Sequence, residues 1–275
     1  MNMEAQDMSL TVVRQERSYL SCLSHGWRVA MNHIGQLLRY AWPSMLLTLV
    51  LPLPGILFFA GQGDAMLCEW IDKGYLPAAT AGSMRREILY RTMRNTYSLL
   101  LAVAGVLLCG ALAFAFVRLG IGFWWYVGAA SLLVLLMLPL EVCFMELSYT
   151  RKPLGECLRG YVLGWRNYGT LFVFELVGLI FLCFAQCLGA MPAITISTVI
   201  QQAMQARSMG DAIDLPLLFP VVAFGAYAIM VFVVLLAMLI YSFCHCLLWG
   251  CIMAREDGKK QQEEAFQSSI GSIVS

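Results

Sequence analysis

Ionisable side chains are costly in apolar surroundings, so those kept inside long hydrophobic runs are the first places to look for chemistry. Glu175 lies within Val173-Phe174-Glu175-Leu176-Val177, Glu141 follows Pro139, and Glu146 comes one further turn along. Gln186 occupies the same apolar run as Glu175, and His245 lies near the end of the last one. A carboxylate in such a setting can carry a proton. Glu141, Glu175, Gln186 and His245 are therefore the candidates for a proton or ion pathway. The plainer reading is structural, with these groups hydrogen-bonded to neighbouring helices.

Thiols suggest a second chemistry. Cys183 and Cys187 share a helix face at a spacing of four, and Cys244-His245-Cys246 is followed by Cys251. Soft ligands of this kind suit zinc or Cu(I) if their segments meet. Residues two apart on a helix point about 200° from each other, however, so Cys244 and Cys246 do not share one site. Seven of the ten cysteines lie in apolar runs, where the thiol behaves as a small hydrophobe. No metal site and no cofactor is assigned.

Catalytic motifs are missing: there is no Gly-x-Ser-x-Gly, His-Glu-x-x-His, Walker loop or dinucleotide fingerprint. The three histidines are isolated from one another. No residue is assigned a catalytic role, and a non-enzymatic membrane component acting through lipid or protein contacts is expected. A small transporter using Glu175 and Glu141 is the alternative.

The elements that carry these residues follow from composition. Of 275 residues, 60% are hydrophobic and 13% charged, too apolar a balance for one water-soluble globule. A net charge of +1 offers nothing to nucleic acid. Crossing the hydrocarbon as a helix takes roughly 20 apolar residues. Five stretches meet that length: 41–60, 97–117, 123–147, 168–190 and 217–254. The expected fold is all-α, a polytopic transmembrane helix bundle. Its domains are an arm over 1–40, a membrane domain over 41–254 and a polar tail over 255–275. No cleavable signal peptide is expected, since the first apolar run begins near residue 41 behind a polar arm.

Two segments have amphipathic periodicity. Leu20, Leu23, Trp27, Met31, Ile34 and Leu38 form one stripe, opposite Arg17, Arg28 and Arg39. Over 153–167, Leu154, Cys157, Leu158, Tyr161, Val162 and Trp165 form another, with Arg159 and Arg166 outside it. Both patterns suit helices lying in the headgroup layer, arginines reaching phosphates; packing on the protein's own surface is the alternative. Arg85 and Arg86, leading into the second span, add to the candidate lipid-headgroup contacts. Membrane lipids are the expected partners, with a membrane-protein partner or a second copy also open. Gly26-Trp27-Arg28 and Gly164-Trp165-Arg166 suggest a weak internal repeat.

The Gly-Trp-Arg amphipathic helix, the Pro-containing span and the final span ending in Trp249…Ala254-Arg255-Glu256-Asp257-Gly258 resemble a group of bacterial membrane families. These include the membrane domain attached to some glycerophosphodiester phosphodiesterases. The resemblance implies a bacterial inner-membrane location and a helical bundle. It carries over no catalytic residue.

Charge sets the expected topology. With five complete crossings, the side bearing the 62–96 loop, the 148–167 connection and the tail holds twelve Lys and Arg against six. The positive-inside rule then puts the C-terminus in the cytoplasm. Leu51-Pro52-Leu53-Pro54-Gly55 interrupts the first span. A kinked but complete helix is the simpler reading. If the segment instead dips in and returns, the arm changes sides and the partition becomes sixteen against two.

Overall fold

A computed structural model describes residues 13, 15–73, 85–120, 122–210 and 216–274. Most of the arm before residue 15 and the middle of the 62–96 loop lie outside the described residues. No strand occurs among the described residues. The helices are α1 (Tyr19–Asn32), α2 (Ile34–Val50), α3 (Pro52–Lys73), α4 (Arg85–Arg118), α5 (Phe123–Met137), α6 (Leu140–Tyr149), α7 (Leu154–Cys157), α8 (Gly160–Arg166), α9 (Tyr168–Ser208) and α10 (Phe219–Val274). Three of them, α4, α9 and α10, are long and apolar enough to cross a membrane. A fourth crossing is supplied if α5 and α6, bent by 40° at the Leu138-Pro139 break, count as one.

α10 is the axis of the fold, and glycines let the other helices approach it. A Cβ at Gly178 of α9 would run into the Tyr241 ring, and one at Gly26 of α1 would strike the Cys244 backbone. Leu171, Phe174, Gly178, Ala185 and Gly189 are the buried face of α9. Their three-, four- and seven-residue steps make one helix face of mostly small side chains, the usual means of close approach in lipid. α1 runs antiparallel to α10: Cys22 Sγ donates to Leu247 O at 3.8 Å, and Cys251 Sγ to Arg17 O at 3.0 Å. The start of α1 is capped by Ser18, whose hydroxyl accepts from Ser21 N.

The segment 41–60 is not a single helix. α2 ends at Leu51, the next helix starts at Pro52, and the two arms fold back on each other. Gly55 packs on the backbone of Thr48, and Gln62 Nε2 donates to Tyr40 O at 2.5 Å, which fixes an antiparallel hairpin with its tip at Leu51. The proline ring cannot continue the helix of the preceding residues and leaves its own nitrogen without a proton, so the break falls there. Val50, Leu51 and Leu53 at the tip are exposed and apolar. From Tyr40 to Leu51 is eleven residues, about 16 Å of helix, roughly half the hydrocarbon thickness. The kinked complete crossing is thereby replaced by the hairpin.

Direct contacts put four basic segments on one face. Arg255 donates to Arg17 O at 3.0 Å, Arg166 pairs with Glu256 at 2.8 Å, and Arg151 pairs with Glu87 at 3.0 Å. The described end of the arm, the start of α4, the 148–167 connection and the tail therefore lie on one face of the bundle, the grouping that the sixteen-against-two reading expects. Arg118 and Arg207 lie at the opposite ends of α4 and α9.

The two Gly-Trp-Arg segments have the same local arrangement. Gly26 and Gly164 face inward against backbone, Trp27 and Trp165 are exposed, and each helix ends at a break, His33 (φ −110°) or Asn167 (φ −108°). The glycine-to-break spacing differs, seven residues against three, so the correspondence is confined to the motif.

Two outcomes follow. Gly178→Leu should lower stability in detergent by about 2 kcal/mol or more through overpacking, whereas Gly169→Leu, with open space around it, should not; thermal melts of the two variants compare them. Reporter fusions after Thr150 and Lys260 should read one side of the membrane, and fusions after Gly120 and Ser208 the other.

Candidate functional site

Three of the four pathway candidates converge. His245, on α10, is enclosed by the rings of Tyr241, Phe174 and Tyr149, with centroids 5.8, 6.3 and 6.3 Å away. Its Nε2 lies 3.0 Å from Glu141 Oε1 on α6 and 3.6 Å from Glu175 Oε1 on α9. The ligating atoms of all three residues fall within 4.8 Å of one another. The local sequence explains each position. Pro139 starts α6 and so sets Glu141 in its first turn. The stripe that seats α9 on α10 places Phe174 inward and turns the adjacent Glu175 to the edge of the contact.

The second nitrogen of His245 is also held. Tyr149 OH lies 3.3 Å from Nδ1 and donates to Ser242 O at 3.4 Å. With the hydroxyl proton on Ser242 O, the Nδ1–H tautomer of the ring donates to Tyr149 and turns the Nε2 lone pair to the carboxylates; with that proton on Nδ1, an Nε2–H faces Glu141 instead. Nε2, Glu175 Oε1 and Tyr241 OH are each shut off from solvent without a hydrogen-bond partner in good alignment. In the first tautomer the two carboxylate oxygens and the imidazole lone pair are all acceptors, an arrangement that suits a cation, either a second proton on the histidine or a metal ion between the three.

A buried polar layer backs the cluster. Asp64 of α3 accepts from Asn95 Nδ2 of α4 at 2.8 Å and lies near enough to add its charge to the field at His245. Cys68 of α3 donates to Ser148 O at 3.4 Å, tying the hairpin to the end of α6. Arg91 is almost wholly buried and donates to Ser148 O at 2.5 Å and Thr150 O at 2.9 Å, with Glu87 on its Nε at 2.8 Å. It caps the last carbonyls of α6, which no helical N–H can reach. In the sequence it reads as one more basic residue of a loop; the burial that gives it this task has no local signal.

The remaining candidates are dispersed. Gln186 is exposed on α9, eleven residues beyond Glu175, and takes no part in the cluster. Arg28, Arg39, Arg85, Arg86 and Arg159 are exposed. Arg166 is exposed but paired with Glu256, and Arg17 is half-buried, its side chain donating to Gln15. Leu20, Trp27 and Met31 of the predicted α1 stripe face outward, while an unpredicted face of Cys22, Gly26, Val29 and Ala30 packs inward on α10. Glu146 pairs with Lys152 at 2.9 Å.

The cysteines do not meet as ligands. Cys183 and Cys187 are exposed on α9, and Cys244 donates to Leu23 O at 3.5 Å. Burial pushes the Cys157 thiol up although Arg94 donates to its sulfur at 3.6 Å, which makes it a packing group rather than a nucleophile. Contact with Cys251, and after it burial, raises the Cys22 thiol. Among the described residues, Glu141, Glu175 and His245 are the one group of three or more such side chains placed to hold a metal ion.

Comparison with protein-family models, with curated proteins and with solved structures yields no match. The site thus rests on its own geometry.

Arg91→Met should cost about 2–3 kcal/mol by stranding the α6 carbonyls, and Arg85→Met close to nothing. Denaturation of both variants in the same detergent checks the contrast.

Proposed function

We propose that this chain is a small permease-type protein of a bacterial inner membrane, with both ends on the cytoplasmic side. Glu141, Glu175 and His245 form its cation-binding station. The observation that carries this reading is the meeting of three ionisable side chains from three different membrane helices at ion-binding distance. A purely structural role would be met by pairing two of them. The excess of Lys and Arg on the face shared by arm, connection and tail favours a cytoplasmic position for that face. The resemblance to bacterial inner-membrane families points the same way.

The cluster lies close to that face. Glu175 is seven residues into α9, about 10 Å along the helix, and both carboxylates are about 30% exposed. A cation entering from the basic side would meet it before the fully apolar part of α9 and α10. The hairpin α2–α3, fixed beside the site through Asp64 and Cys68, is the element whose tilt would change access. Such a hairpin touches lipid at its tip and needs only its two arms to move.

The exposed Trp27 and Trp165, each followed by an arginine, favour a second contact with anionic lipid headgroups at the same face. The two readings are compatible, since headgroup contacts would seat α1 and α8 without touching the cluster.

In proteoliposomes with an imposed pH gradient and an entrapped pH dye, the native chain should dissipate the gradient. Glu141→Gln and Glu175→Gln should slow that flux about tenfold or more, and Gln186→Ala should not. Equal flux in the native chain and both Gln variants would end the permease reading.

A further inference from the structure

We infer that the Glu141–Glu175–His245 cluster is a binding site for a divalent transition-metal ion of the zinc, cobalt or manganese type. The inference rests on the cation-station reading above and names the cation.

Distances come first. Four-coordinate zinc holds nitrogen and oxygen ligands at about 2.0–2.1 Å, which sets neighbouring ligand atoms roughly 3.3 Å apart in a tetrahedron. His245 Nε2 stands 3.0 Å from Glu141 Oε1 and 3.6 Å from Glu175 Oε1, on either side of that edge length. The third edge, between the carboxylates, is within 4.8 Å and closes with a small rotation of either side chain. An alkali ion, with longer bonds and more oxygen ligands, would need the three groups to spread and the imidazole to give way to oxygen.

Protonation comes second. A Tyr149 hydroxyl that donates to Ser242 O is placed to accept the Nδ1 proton of His245, and an ion on Nε2 selects that tautomer. The outer partner that fixes a metal-ligating histidine in this tautomer is usually a carboxylate, carbonyl or water, and here a tyrosine fills that place. Nε2 then presents a lone pair to the two carboxylate oxygens.

Charge comes third. Two carboxylates and a neutral imidazole carry −2, which a divalent ion cancels in a region where uncancelled charge is expensive. A single proton leaves the cluster at −1. Asp64, the next acid, accepts from Asn95 and lies near Arg91, and its charge acts on His245 from outside the ligand set. The buried, unaligned Tyr241 OH adds a polar lining for the fourth position, open to water or an anionic ligand.

The absence of thiolate sets the metal class. Cys244 and Cys246 flank His245 in sequence, but Cys244 bonds to Leu23 O and Cys246 is buried. A nitrogen–oxygen donor set of this kind suits zinc, cobalt, manganese or ferrous iron and disfavours Cu(I).

The test uses the full chain in mild detergent, stripped with EDTA and then titrated with Zn²⁺ by calorimetry and Co²⁺ by visible absorption. The expected result is one ion per chain, with the intense visible bands of four-coordinate Co²⁺. His245→Ala, Glu141→Gln and Glu175→Gln should each abolish it while keeping the helical circular dichroism of the native chain. Tyr149→Phe should weaken Zn²⁺ about tenfold and shift the Co²⁺ bands, as a positioning residue would. Cys183→Ser with Cys187→Ser should leave both signals unchanged. No binding to folded native protein, or binding that survives His245→Ala, overturns the inference. Proton flux without metal binding would remove the metal and leave the permease; metal binding without flux would do the reverse.

Discussion

The seating of α1 and α9, and with it the His245 cluster, depends on how closely those helices can approach α10. Lipid tails are as apolar as leucine side chains, so no hydrophobic force drives one membrane helix onto another. Dispersion and shape must do it, and they act only at short range. Gly26, Gly178 and Gly189 remove the Cβ atoms that would hold α1 and α9 away from α10, and Gly250 does the same for Val13. The His245 cluster is a consequence. If α9 stood one methyl group further from α10, the 3.6 Å approach of Glu175 to His245 would open beyond the reach of a shared cation.

The apolar runs make the long helices legible in the sequence, because length and hydropathy are what a bilayer requires. The same criterion misreads 41–60. Two half-length arms folded together contain as many apolar residues as one crossing, and only the Pro52-Leu53-Pro54-Gly55 punctuation distinguishes them. The charge count already favoured the hairpin, since it separated sixteen basic residues from two instead of twelve from six. The packing face of α1 was hidden for a related reason. Hydrophobic periodicity selects the large side chains Leu20, Trp27 and Met31, which face outward, whereas the inward face consists of small ones.

At the site, identity was legible and company was not. Glu141, Glu175 and His245 stand out singly, each as an ionisable residue in an apolar run. Nothing in a linear spacing of 34 or 70 residues brings them together. Their meeting requires the antiparallel register of α9 on α10 and the bend at Pro139 that swings α6 across. Gln186, a polar but non-ionisable residue in the same run as Glu175, fell on the outer face of α9. The cysteines drew attention by density, but a thiol beside a helix partner readily donates to a backbone carbonyl, as Cys22, Cys244 and Cys251 do. Tyr149 and Tyr241 gave no signal, because a tyrosine in an apolar stretch is ordinary until its hydroxyl is seen beside a histidine.

The hairpin and the cluster also constrain each other. A backbone that turns at mid-depth is tolerated only where protein or water shields it, and here Gly55 seats one arm on the other while Gln62 satisfies a carbonyl between them. That internal satisfaction lets α2 and α3 behave as one rigid wedge. Its inner arm carries Asp64 and Cys68 to the end of α6, the helix that supplies Glu141. A displacement of the wedge therefore acts on α6 through the Cys68 contacts, and on the field at His245 through Asp64. Arg91 resists that displacement, since its guanidinium clamps the last turn of α6 to α4. The Glu141–Glu175–His245 cluster is thus joined to the α2–α3 hairpin through a chain of hydrogen bonds and not through apolar packing alone.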